Sequence, residues 1–173
     1  MPSKAFIKGF KHELANRAFA LMAVRRMTVR LEGDPWHTFW KTYWELEILN
    51  ARRYEAAALT WGLDCAPGFR TRLKAWLVSS VPRCLMAALV KFVLKETVAY
   101  AKWLGDLRTA GPSYASVFLD YMVEQENLQI ELMRLALDGR HSEIAVHAND
   151  FFWKYGHSIP KVGFGTRRHA ELT

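Results

Sequence analysis

Apolar residues recur at steps of three and four along most of this chain, the period of amphipathic helices. Phe6, Phe10, Leu14, Leu21 and Val24 mark a first helix over about residues 3–31. The stretch EGDP follows, with Gly33 to stop that helix, Asp34 to cap the next and Pro35 for its first turn. A second helix covers about 35–61, and Gly62 closes it. After the break DCAPG, the run FRTRLKAWLVSS predicts a short amphipathic helix. Pro82 opens a third long helix to about residue 107, TAGPS interrupts, and a fourth covers 112–137 before Gly139. HSEIAVHANDFFWKYG predicts a shorter helix with Ser142 as its cap. Residues 157–173 lose the apolar period and read as a basic tail behind one helical domain over 1–156. There is no hairpin signal and no alternating run between turn residues. The predicted fold is all-α: four long helices forming a bundle, with a longer crossover between the second and third.

Composition narrows the class of protein. At 173 residues, 51% hydrophobic and 24% charged, the chain has the makeup of one globular domain. Seven Trp, ten Phe and six Tyr must be buried, line a pocket, or face a partner. Trp36, Trp40 and Trp44 share a face of the second helix and suit a core, or an interface in a homodimer or with another protein. The net charge of +7 favours anionic partners. No RNP box, KH loop, zinc-finger or homeodomain pattern accompanies the arginine clusters, so nucleic acid is the disfavoured anion. Cys65 and Cys84 are too few for a disulfide framework, and a reduced cytoplasmic setting is expected. The most apolar window, WLVSSVPRCLMAALVKFVL, contains Pro82, Arg83 and Lys91. It is a poor transmembrane span but suits a peripheral position on the inner face of a membrane.

Each long helix carries a glutamate in an apolar setting: Glu13, Glu47, Glu96 and Glu124. Three residues beyond Glu47 and Glu124 stand Asn50 and Asn127, on the same helical faces. One carboxylate per helix, with a second donor at i+3 on two of them, is the layout of di-metal carboxylate bundles. Such sites hold two iron or manganese ions with hard oxygen ligands and usually one His per ion. Here both imidazoles are replaced by Asn, whose neutral carbonyl is a weaker ligand. None of the six His falls at the expected places. Two other readings stand beside the metal. The glutamates lie on solvated helix borders, as the Glu13–Arg17 spacing of four allows, or they converge without metal and Asn50 and Asn127 donate to them. Convergence without metal, shared protons or donor partners is untenable, because each buried charge costs several kcal/mol.

The stretches HELANRAFALMAV, FWKTYWELEILNARRYEAA, FVLKETVAYAKWL and YMVEQENLQIELM resemble, in order, the four helices of the ferritin-like superfamily. The pattern is most similar to the demethoxyubiquinone hydroxylase family and covers roughly residues 8–138. The resemblance places Glu47 and Glu124 at motif glutamates and Asn50 and Asn127 where that family has His. It implies two irons activating O₂ to hydroxylate a quinone ring, and an apolar connection that docks on a membrane. Tyr43, Trp44, Tyr54 and Tyr121 are the aromatic residues expected to line its pocket.

Three functions follow as expectations. The first is an accessory or binding protein for an apolar ligand, a quinone or lipid, or for a protein partner at the membrane surface, keeping a degenerate site with no metal. The alternative is a di-iron or di-manganese oxidase or hydroxylase acting on an apolar substrate. A basic nucleic-acid-binding helical protein is the third, with only clustered Arg behind it. No catalytic residue is named by the sequence.

Overall fold

The computed structural model describes residues 2–156, all of whose regular structure is helical. The expected tail over 157–173 lies outside the described residues. Four long helices, α1 (Lys4–Arg30), α2 (His37–Thr60), α4 (Met86–Thr109) and α5 (Ser116–Leu137), are joined by the shorter α3 (Phe69–Val78) and followed by α6 (His141–Gly156). The Ser3 hydroxyl caps α1 by accepting from the Phe6 amide at 3.1 Å. Gly33, Gly62 and Gly139 take positive φ (77°, 64° and 73°) just past helix ends, where any side chain would be strained.

Three helix starts differ from the sequence expectation. Asp34 accepts from the Trp36 amide through its side chain and from His37 through its carbonyl, both at 2.9 Å. The turn it holds delays α2 to His37. Pro82 and Pro112 each open a 3-10 turn, Arg83–Leu85 and Ser113–Ala115, so α4 and α5 begin a turn later than expected. Ser142 lies inside the first turn of α6 rather than capping it.

Helix α1 packs on α2, α4 on α5, α2 also meets α5 and α6, and α3 lies along α1. Phe6, Phe10, Leu46, Leu104, Phe118 and Met122 fill the core between them. Phe10 stacks on Tyr54 and meets Trp61 and Phe118 edge-on. Gly9 lets α4 approach α1: a Cβ there would stand 2.6 Å from Leu107 Cδ1. Trp40 is buried and Trp36 and Trp44 pack against the core, so this stripe of the second helix serves the interior.

The connection from α2 to α4 leaves much apolar surface outside. On α3, Phe69, Leu73, Trp76 and Leu77 are exposed along one stripe, as are Leu85 and Phe92 at the start of α4. Arg26 donates to the Trp76 carbonyl at 3.2 Å, and Arg30 to the carbonyls of Ser79 and Val81, tying this segment to α1. Among the described residues no single helix is long and apolar enough to cross a membrane. Helices α3 and α4, with the 3-10 turn, pass that test only as a pair bent by 93°.

Candidate functional site: a buried arginine among carboxylates

At the centre of the four long helices lies Arg17, 6% exposed. Its Nε stands 3.1 Å from Glu13 Oε1, one turn back on α1. Nη1 donates to Glu47 Oε1 from α2 at 3.0 Å and to Gln125 Oε1 at 3.2 Å. Nη2 donates to Glu126 Oε2 from α5 at 2.9 Å. Glu13, Glu47 and Glu126 are each at most 2% exposed. One guanidinium therefore serves three buried carboxylates from three helices, a geometry its planar fork of donors suits.

A shell of amides and phenols completes the network. Gln129 Nε2 donates to Glu47 Oε1 at 2.9 Å and to Gln125 Oε1 at 2.8 Å. Gln125 Nε2 donates to Glu126 Oε2 at 3.0 Å, and Asn50 Nδ2 to Gln125 Oε1 at 3.0 Å. Tyr54 donates to Glu13 Oε1 at 2.6 Å, and Tyr100 of α4 to Glu13 Oε2. Tyr43 donates to Gln129 at 2.8 Å and Tyr121 to Asn50 Oδ1. Two polar atoms of the cluster are buried without a hydrogen bond of good geometry: Arg17 Nε, which stands 3.1 Å from Glu13 Oε1, and Glu47 Oε2.

Three carboxylates against one guanidinium leave an excess of negative charge in a buried site. Burial raises the Glu126 carboxyl from its ordinary 4.5 to about 7, with Arg17 opposing and Glu13 and Glu47 adding to the rise. Burial also raises Glu47, against the pull of Arg17 and its amide neighbours. For Arg17, burial opposes the charge, but Glu126, Glu13 and Glu47 outweigh it and keep the guanidinium protonated. The phenols of Tyr43, Tyr54, Tyr100 and Tyr121 are raised, chiefly by burial, and stay neutral donors.

Of the residues singled out in the sequence, Glu13, Glu47 and Asn50 converge here, as do Tyr43, Tyr54 and Tyr121. Trp44 packs half-buried against the apolar core. Glu96 and Asn127 face outward, and Glu124 sits at the surface, bonded by Lys154 Nζ at 2.6 Å and by the Tyr155 hydroxyl. The cause is a phase error of about one residue, or roughly 100° of helix. On α5 the buried stripe runs through Phe118, Tyr121, Met122, Gln125, Glu126 and Gln129, while Val117, about two turns before Glu124, is exposed. On α4 the inward polar residue is Tyr100, not Glu96, because the apolar Leu85 and Phe92 belong to an outer face. Sequence reasoning missed Gln125, Glu126, Gln129 and Tyr100, and gave Arg17 only as a surface partner. The alignment of Gln125 and Gln129 with Phe118, Met122, Leu132 and Met133 was the available signal.

The six oxygen ligands expected for two metal ions do not assemble: Glu96, Glu124 and Asn127 point away, and the Arg17 guanidinium fills the space between the other carboxylates. Among the described residues no group of three or more His, Cys, Asp or Glu is arranged to hold a metal ion. The donor set therefore does not fit a di-metal centre.

Beside the cluster, between α1 and α2, a pocket of about 240 Å³ opens under the α2–α3 loop. Leu14, Ala18, Leu21, Met22 and Ala51 form its apolar wall, and Arg17 and Glu47 also line it. No protein-family model, curated protein or solved structure matches this chain.

Proposed function

We propose that this protein is a divergent ferritin-like four-helix bundle, with a longer connection between its second and third long helices, that binds an apolar small molecule, a quinone or lipid, at a membrane surface. The observation that carries the reading is Arg17, seated among Glu13, Glu47 and Glu126 within 3.1 Å of each. A protein cation takes the role that iron or manganese has in the oxidases of that superfamily. The polar centre then holds the helices in register and borders an apolar pocket. The α2–α4 connection supports a membrane position. Between Asp64 and Glu96 the connection and the first turns of α4 together have six Lys and Arg, no acidic residue, and exposed Phe69, Trp76 and Phe92.

Metal analysis tests the reading. Protein purified without chelator, then incubated anaerobically with ferrous iron and desalted, is expected to retain less than one equivalent of iron or manganese. Two equivalents, lost in the Glu13→Ala/Glu47→Ala variant, would establish a di-metal oxidase instead, with Arg17 displaced from its carboxylates.

A further inference from the structure

The pocket between α1 and α2 follows both helix axes. Leu14, Ala18 and Met22 line it on α1, and Glu47, Ala51 and Glu55 on α2, each set spaced at i, i+4 and i+8. Two turns of two helices therefore border one slot, about 12 Å long at roughly 1.5 Å per residue. Its volume is about 240 Å³. An apolar cavity of about 150 Å³ holds the six carbons of benzene, so this one takes roughly ten. An extended alkyl chain advances about 1.3 Å per carbon, so roughly ten carbons also span the length. Volume and length agree only for carbons in single file. A ring compound of that volume is shorter and leaves one end of the slot empty. Tyr54 is the one aromatic residue among the described lining, and its ring is already stacked on Phe10 and met edge-on by Phe118. Glu47 Oε2 and Arg17 Nε are buried without any ligand, so a chain laid beside them strips no water from either.

We propose that this pocket holds a single hydrocarbon chain of about ten carbons, laid along Leu14, Ala18, Met22 and Ala51, and not a quinone ring. This rests on the ligand-binding reading above and narrows it to a chain, either the acyl chain of a lipid or the isoprenoid tail of a quinone. The chain carries the affinity, and the polar head stays outside at exposed Glu55. Pro67 at the rim is two residues from exposed Phe69, so the slot stands beside the face assigned to the membrane.

Probes with one neutral head isolate the chain: 1-hexanol, 1-octanol, 1-decanol and 1-dodecanol, titrated by calorimetry beside duroquinone, a ring without a tail. Affinity is expected to rise about fifteenfold for each added pair of carbons up to decanol, and less than about twofold from decanol to dodecanol. Duroquinone should bind at least about tenfold more weakly than decanol, because it has methyl groups but no chain to bury. Ala18→Leu and Ala51→Leu each fill the middle of the slot, and neither residue's side chain takes part in the cluster's hydrogen bonds. In either variant the break in the series should move to shorter alcohols, and decanol should lose more affinity than hexanol. Two variants on different helices, each checked for folding by thermal unfolding, keep the test decisive if one is unstable. Geraniol, with ten carbons and isoprenoid branching, separates the sources. Tighter binding than decanol identifies a quinone's tail and weaker binding an acyl chain, and both support a chain. Duroquinone binding as tightly as decanol, or a series without a break, would overturn the chain inference and leave an apolar-ligand protein standing. A series unchanged in both leucine variants would place the binding elsewhere and overturn the slot. Absence of binding by every probe would remove the ligand-binding reading itself.

Discussion

Arg17 makes the carboxylates tolerable where they are. Three acidic side chains at most 2% exposed would repel one another strongly with nothing between them. Its replacement by Met keeps the volume and removes the charge. Arg17→Met is expected to destabilise the fold by about 3–5 kcal/mol, the cost of stripping one partner from a buried ionic group. Chemical denaturation measures it; a loss under about 1 kcal/mol would mean that the carboxylates already sit protonated and need no cation. Adding Glu47→Gln and Glu126→Gln to Arg17→Met should restore much of the loss, since the orphaned charges go with the arginine. Tyr54→Phe tests the rim of the same network. It removes the 2.6 Å bond to Glu13, leaves the ring stack on Phe10, and is expected to cost about 1–3 kcal/mol.

At the scale of elements, the assignment of helices from the sequence was secure and the phase of two of them was not. Breaks at Gly33, Gly62, Gly139, Pro82 and Pro112 delimit all the long helices, because glycine and proline act locally on the backbone. Phase depends on which apolar stripe meets the core. Helix α4 has two, an inner one through Met86, Val90 and Leu104 and an outer one through Leu85 and Phe92. That outer stripe, with α3, has its own expected consequence. Vesicles rich in phosphatidylserine should sediment the protein and neutral phosphatidylcholine vesicles much less. Arg70→Glu/Arg72→Glu/Lys74→Glu should weaken the anionic binding at least about a hundredfold, at roughly 1 kcal/mol per basic residue. Trp76→Ser should weaken binding to both kinds of vesicle. Equal binding to neutral and anionic vesicles would remove the role of the basic residues, and binding to neither would remove the membrane position from the proposal.

For the whole molecule, the charge excess at the centre ties stability to pH. Glu126 is raised from 4.5 to about 7 by burial, so the folded state holds a proton that the unfolded chain releases. Stability from this group is complete below about pH 4.5 and is lost as pH rises through 7; Glu47, raised for the same reason, acts in the same direction. The full loss is on the order of 3 kcal/mol. Glu126→Gln removes the titration, so unfolding free energies measured from pH 5 to pH 8 should fall less steeply in the variant. Parallel curves for the two proteins would show that Glu126 stays ionised throughout.

The sequence by itself left open whether Glu13 and Glu47 face inward or lie on solvated borders, and determined that the chain is helical and where its helices stop. Those properties follow from spacing and from residues that act within one turn of themselves. Tertiary structure alone decided what meets the carboxylates. Arg17 looked like a surface partner four residues from Glu13, and the same spacing serves a solvated pair and a buried one equally. Its role appears only when α2 and α5 bring Glu47 and Glu126 to the other side of the guanidinium, across 30 and 109 residues of chain. Such long-range pairing is set by how whole helix faces pack, and no local pattern encodes which buried cation a carboxylate will find.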